Sequence, residues 1–123
     1  MPASPQLDLF GGPPEPAPTE PPGRRALGPA TTPEELVALA QRLPPNLRFG
    51  TSSWAYPGWA GIVYDTPATQ QRIAREGLAA YAHHPLLRAV GIDRSYYGPL
   101  RRDEFFAYAA QVPDDFRFLV KAH

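Results

Sequence analysis

Cysteine is missing from this 123-residue chain, and lysine occurs only once, as Lys121. Without cysteine there is no disulfide, no thiolate metal ligand and no cysteine nucleophile. No apolar run is long enough for a membrane-spanning helix or the core of a signal peptide, so we expect no membrane partner. Twelve basic residues balance twelve acidic ones, so no overall field attracts nucleic acid. We expect a soluble cytoplasmic protein in which any phosphate binding is local.

Proline, by contrast, is abundant and is concentrated near the start of the chain. Twelve of the seventeen prolines fall within the first 45 residues, and residues 11–30 contain almost no large apolar side chains. Such a segment buries too little apolar surface to offset the loss of chain entropy on folding. We therefore predict a disordered, Pro-rich tail over residues 1–30 and an ordered region over residues 31–123.

Helical and strand patterns alternate in the ordered region. Apolar residues at helical spacing predict helices at about residues 33–43, 68–83 and 101–111. Short apolar segments predict strands at residues 47–51, 87–92 and 116–120. Strands that alternate with helices are typical of an α/β fold with a parallel sheet, either a barrel or a doubly wound fold.

Polar and aromatic side chains gather where each predicted strand ends, which is where both of these folds carry their functional groups. The candidate site residues are Ser52, Trp54, Trp59, Asp93, Arg94, Tyr96, Tyr97 and Lys121. The two tryptophan rings can stack on a sugar or a base, and they can equally cap the hydrophobic core. We assign substrate binding to Ser52, both tryptophans, Arg94 and Tyr96.

Catalytic roles are assigned to Asp93, Tyr97 and Lys121. Asp93 can accept a proton or bind a cation while Arg94 holds a phosphate, although the two can also form a structural ion pair. Lys121 can bind phosphate or act as a desolvated amine if it faces inward, and it is otherwise a solvated lysine at a strand end. The three histidines lack the spacing of metal ligands, so no metal site is predicted.

Three runs of residues resemble, in order and spacing, the opening of the YecE-like family, the domain-of-unknown-function family 72. They are residues 50–64 (GTSSWAYPGWAGIVY), 90–97 (VGIDRSYY) and 113–121 (PDDFRFLVK). The resemblance covers about residues 46–123 and implies a TIM-barrel-like fold with these runs as its first three strands and loops. Family members usually have Glu-Ile-Asn where this chain has Gly91-Ile92-Asp93, so a role that rests on that glutamate does not transfer.

Length is the second departure from the family, because a TIM barrel needs roughly 200 residues or more. The resemblance therefore implies only the first three strand and helix units of such a barrel. We expect a chain of this kind to expose an apolar sheet edge and unpaired helix faces.

A separate motif lies within the predicted tail, at Gln6, Leu7, Asp8, Leu9 and Phe10. It resembles the short peptide with which bacterial DNA polymerases and repair proteins bind the sliding clamp. Gln6 can hydrogen-bond in a small polar pocket while Leu9 and Phe10 fill an apolar cleft. The alternative is a chance cluster of apolar residues.

Two classes of function follow from these features. The first is a protein of DNA metabolism, recruited by the tail and binding nucleic acid or a phosphorylated ligand through the barrel. The second is a small-molecule enzyme that acts on a sugar or phosphate ester, in which case the tail is incidental. A non-functional product of a shortened reading frame is a third possibility. No reaction type and no cofactor follow from the sequence.

Overall fold

Seven regular elements alternate along residues 26–122, the part of the chain that the computed structural model describes. They are α1 (Glu34–Arg42), β1 (Phe49–Thr51), α2 (Gln70–Glu76), α3 (Leu78–His83), β2 (Leu87–Ile92), α4 (Arg102–Ala109) and β3 (Arg117–Val120). Single turns of 3₁₀ helix follow the first two strands, at Pro57–Trp59 and Arg94–Tyr96. The predicted α/β class and the alternating order of helices and strands are confirmed.

The three strands form one parallel sheet in the order β1-β2-β3. Helices α2 and α3 connect the first pair of strands, and α4 connects the second pair. Because the strands are parallel, their carboxyl ends meet at one edge of the sheet. The predicted parallel sheet is therefore confirmed, and residues that follow the three strands are brought to the same edge.

One helix was expected over residues 68–83, and the structure has two. Gly77 ends α2 and begins α3. A Cβ atom at residue 77 would lie 2.7 Å from the carbonyl oxygen of Ile73 and 3.0 Å from the ring of Tyr64. The sequence pattern marks this glycine only as a weak helix former, whereas the structure shows that a side chain at residue 77 would meet both Ile73 and Tyr64.

The core lies between the sheet and helices α2 and α3. Ile73, Leu78 and Tyr81 pack with the sheet residues Val90 and Ile92, and each is less than 5% exposed. Helix α1 buries none of its side chains. The apolar stripe predicted for it therefore does not reach the core.

The hydroxyl group of Tyr81 joins β1 to β2. It accepts a hydrogen bond from the backbone N–H of Thr51 at 3.0 Å and donates one to the carbonyl oxygen of Ala89 at 2.8 Å. The strand register shifts at this point, because Phe49 pairs with Leu87 and the next residue pairs with Ala89. The hydroxyl thus supplies hydrogen bonds at an irregular place in the ladder between the two strands.

Residues 27–30 form a short strap against residues 63–65. Pro29 bridges antiparallel to Tyr64, and the N–H of Ala30 donates to the carbonyl of Val63 at 2.9 Å. Leu27 is only 6% exposed and belongs to the core. The predicted end of the tail at residue 30 is therefore too late, because residues 27–30 already pack against the rest of the chain and Leu27 is buried. The composition of residues 11–30 taken together did not indicate this burial. The motif Gln6 to Phe10 lies outside the described residues.

Strand β3 has a neighbour on one side only among residues 26–122. Its Leu119 side chain is 78% exposed, and Phe106 on the preceding helix is 62% exposed. Apolar exposure of this kind was expected for the sheet edge. No helix in the described part of the chain is long and apolar enough to cross a membrane.

Candidate functional site

An open groove of about 710 Å³ crosses one face of the sheet. Side chains alternate between the two faces of a strand, and the buried Val90 and Ile92 point to the helices, so Ala89 and Gly91 face the groove. Gly50 lies beside them on β1. The part of the floor that β1 and β2 provide is therefore built from glycine and alanine, and Leu119 lines the groove on β3.

Two glycines of this floor are required by close backbone contacts. A Cβ atom at Gly50 would overlap the carbonyl oxygen of Ala89, and a Cβ atom at Gly91 would lie 3.0 Å from the carbonyl oxygen of Ser52. Both distances are shorter than ordinary van der Waals contacts. The same two residues thus bring β1 and β2 close together and leave the face of the sheet uncovered.

Polar residues line the carboxyl end of the groove. Ser52 follows β1, Asp93 follows β2 and Lys121 follows β3, and all three residues belong to the groove lining. A hydroxyl, a carboxylate and an ammonium group are therefore available at one edge of the sheet. These are three of the eight candidate residues around the strand ends.

Lys121 is held by contacts from the turn that follows β2. Its backbone N–H donates to the carbonyl oxygen of Ile92 at 3.0 Å, and its own carbonyl oxygen accepts from the hydroxyl of Ser95. The ammonium nitrogen lies 5.5 Å from the ring centroid of Tyr96, within the range of a cation–π contact. Tyr96 is 57% exposed and is not part of the groove lining. Its connection to the site is the contact between its ring and the Lys121 ammonium group.

Arg94 does not line the groove. Its guanidinium group donates to Glu104 Oε1 at 2.6 Å and to the hydroxyl of Tyr108 at 3.2 Å, both on α4. The hydrogen bond from Arg94 holds the pKa of Glu104 below its ordinary value. Arg94 is thus in a structural ion pair, as one of the two interpretations had it, but its partner is Glu104 rather than Asp93.

The aromatic candidates are divided between the core and the surface. Trp54 is 5% exposed, donates from Nε1 to the carbonyl of Ala74 at 3.2 Å, and meets the ring of Tyr108 edge to face. Trp59 is half-buried and packs against the core. Tyr97 is 83% exposed and touches the ring of Tyr96, outside the groove lining. Trp54 thus belongs to the hydrophobic core, and Trp59 packs beside it.

A family model described as "Protein of unknown function DUF72" matches residues 48–123. This chain belongs to the DUF72 family. DUF72 is the YecE-like family, so the resemblance carried by the three strand-end runs is confirmed. No curated protein and no solved structure matches the chain. The DUF72 match begins at Arg48 and includes every residue that lines the groove, whereas α1 and the strap precede it.

Eight groove residues of this DUF72 protein were not identified as site residues from the sequence, namely Arg48, Gly50, Thr51, Ala89, Val90, Gly91, Leu119 and Val120. The alternation of β1 carries a signal for two of them, because residues 48, 50 and 52 share one face of the strand. The Nε atom of Arg48 donates to the carbonyl oxygen of Asp115 at 2.8 Å. It adds a second positive charge to the groove lining, near the amino end of the strands.

The described part of the DUF72 site has few residues of the kinds that bind metal ions. Within residues 26–122 there is no group of three or more histidine, aspartate or glutamate side chains arranged to hold a metal ion. Asp93 is the one carboxylate of the groove lining in that range. Among the described residues the groove lining thus offers two cationic groups, the hydroxyl of Ser52 and one carboxylate, together with glycine, alanine and the aliphatic side chains of Leu119 and Val120.

Proposed function

We propose that this DUF72 protein has the opening of a TIM-type barrel and that the groove binds a phosphorylated small molecule. The supporting topology is the order β1-β2-β3, in which strands that follow one another in the chain are also neighbours in the sheet. A singly wound barrel has this order, and its ligands bind at the carboxyl ends of the strands. The observation that carries the proposal is that Lys121 and Ser52 line one groove at that edge.

The groups in the groove favour a ligand that has both a phosphate and hydroxyl groups. An ammonium group attracts a phosphate dianion, and a serine hydroxyl can donate a hydrogen bond to it. Asp93 would repel the phosphate but can accept a hydrogen bond from a sugar hydroxyl. We therefore propose a sugar phosphate as the ligand, with Asp93 as the candidate general base for one of its hydroxyls.

Calorimetric titration of the full chain with glucose 6-phosphate tests this proposal, and titration with glucose isolates the contribution of the phosphate. Because a hydrogen bond to a charged group contributes about 1.5 to 3 kcal/mol, Lys121→Gln should weaken binding by about tenfold or more. Arg75→Gln is the matched control, since it removes one positive charge from an exposed position on α2 outside the groove. Equal affinities for glucose and its phosphate, or equal losses in the two variants, would refute the proposal.

A second proposal is recruitment to the bacterial DNA sliding clamp by the motif at residues 6–10. The pattern of one glutamine followed by alternating leucines and a phenylalanine supports it. The balanced net charge does not favour duplex binding by the rest of the chain, so a role in DNA metabolism depends on this motif.

Fluorescence anisotropy of a labelled peptide of residues 1–15 with a bacterial sliding clamp tests the recruitment. We expect saturation at roughly micromolar concentrations. A peptide with alanine in place of Gln6, Leu9 and Phe10 should not bind. Equal binding by the two peptides would exclude the motif.

A further inference from the structure

The 3₁₀ turn Arg94–Tyr96 has a role that the groove lining alone does not reveal. Each of its three residues makes a different contact. Arg94 binds the α4 residues Glu104 and Tyr108, Ser95 binds the backbone of Lys121, and the ring of Tyr96 lies beside the ammonium group of Lys121. Among residues 26–122, the turn therefore connects α4 to the one cationic group at the carboxyl end of the groove lining.

Ser95 fixes the backbone of Lys121. Its side chain is buried, with the residue 4% exposed, and its hydroxyl lies within hydrogen-bond distance of the carbonyl oxygens of Ile92 and Lys121. The N–H of Lys121 donates to the same Ile92 carbonyl. The position of the lysine backbone is thus determined by the turn that follows the neighbouring strand.

Tyr96 restricts the side chain of Lys121. A lysine has a flexible four-carbon stem, and an unrestrained ammonium group samples many rotamers. The aromatic ring favours those rotamers that keep the ammonium group near its face, 5.5 Å from the centroid. Because this attraction comes from the ring, phenylalanine at residue 96 should preserve it and leucine should not.

We propose that Tyr96 is a positioning residue that holds the Lys121 ammonium group at the mouth of the groove for an anionic, phosphate-bearing ligand. That the ligand carries a phosphate rests on the proposed function, whereas the contact between Tyr96 and Lys121 can be tested without any ligand. A positioned cation loses less conformational freedom on binding, so the affinity for phosphate should depend on the ring.

The single lysine permits a direct measurement on the full chain. Reductive methylation with ¹³C-formaldehyde labels Lys121 and the amino terminus only, because no other lysine is present. Methylated ammonium groups retain the attraction to aromatic rings, so the ring current of Tyr96 should shift the lysine methyl resonance upfield. We expect the shift to vanish in Tyr96→Leu and to persist in Tyr96→Phe. Tyr56→Leu, which removes a tyrosine of nearly equal exposure outside the groove, should leave the resonance unchanged.

Titration with glucose 6-phosphate provides the second measurement. Tyr96→Leu should weaken binding by about two- to fivefold, the equivalent of one exposed cation–π contact, while Tyr96→Phe restores the affinity. If the lysine resonance were the same in wild type and Tyr96→Leu, the role of Tyr96 would be overturned but the proposed function would not. Unchanged affinity of Tyr96→Leu for glucose 6-phosphate would have the same meaning. No phosphate binding by the wild-type chain would overturn the proposed function and, with it, the role of Tyr96 towards the ligand.

Discussion

Replacing Tyr81 with phenylalanine should loosen the pairing between β1 and β2. The side chain is fully buried, and its hydroxyl bonds the N–H of Thr51 and the carbonyl of Ala89 across the irregular register. Phenylalanine keeps the ring and its packing but leaves both backbone groups without this partner. A buried polar group without a hydrogen bond costs roughly 1 to 3 kcal/mol, so we expect the free energy of unfolding to fall by about 2 kcal/mol.

Two measurements on the full chain check this expectation. Urea unfolding followed by tryptophan fluorescence should have a midpoint lower by about 1 to 2 M, given a slope of about 1 to 2 kcal/mol/M. Amide hydrogen exchange should be faster specifically at Thr51, because that N–H loses its acceptor. Tyr56→Phe removes a hydroxyl from a half-exposed ring and should change neither quantity. Unchanged exchange at Thr51 in Tyr81→Phe would refute the proposed bridge between the strands.

Two further predictions concern the sheet and the turn. Gly50→Ala should disrupt the pairing of β1 with β2, because the added Cβ atom would overlap the carbonyl oxygen of Ala89. Gly98→Ala should be tolerated, because its Cβ atom would meet open space. Circular dichroism and the midpoints of urea unfolding compare the two variants. Arg94 holds the pKa of Glu104 below its ordinary value of 4.5, so the stabilisation is complete above that pH and is lost as the pH falls through the lower folded value. Glu104→Gln should therefore lower the urea midpoint at pH 7 and make it less sensitive to acid.

Each of these expectations has an outcome that contradicts it. Equal midpoints for Gly50→Ala and Gly98→Ala would mean that the backbone approach at residue 50 is not needed for strand pairing. An acid dependence of Glu104→Gln as steep as that of the wild type would mean that other carboxylates determine it. Glu34→Gln, at an exposed position on α1, provides the control for removal of a carboxylate.

Local patterns predicted the regular elements well where local chemistry determines them. Strand β2 was expected at residues 87–92 and is found at Leu87–Ile92, because a continuous apolar segment has few other conformations in which it can be buried. The division of the second helix at Gly77 could not be predicted in this way. The apolar pattern does not show that Ile73 and the ring of Tyr64 leave no room for a side chain at residue 77.

The site residues also divide into those that local sequence predicts and those whose contacts form only in the folded chain. Ser52, Asp93 and Lys121 were predictable because the carboxyl ends of parallel strands must converge. Arg94 and Trp54 have the same position in the sequence pattern, but their partners lie on helices that the pattern does not orient. Glu104 on α4 binds Arg94, and the carbonyl of Ala74 on α2 binds the indole of Trp54.

The strap at residues 27–30 has a consequence for how the chain can be shortened. Leu27 is buried in the same core as the residues of the DUF72 match, although that match begins 21 positions later, at residue 48. Full burial of a leucine side chain contributes roughly 1.5 to 3 kcal/mol, and the strap adds its hydrogen bonds to residues 63 and 65. The hydrophobic core therefore includes a residue that lies outside the segment by which the family is recognised. A deletion that respects the recognised segment would remove part of the hydrophobic interior.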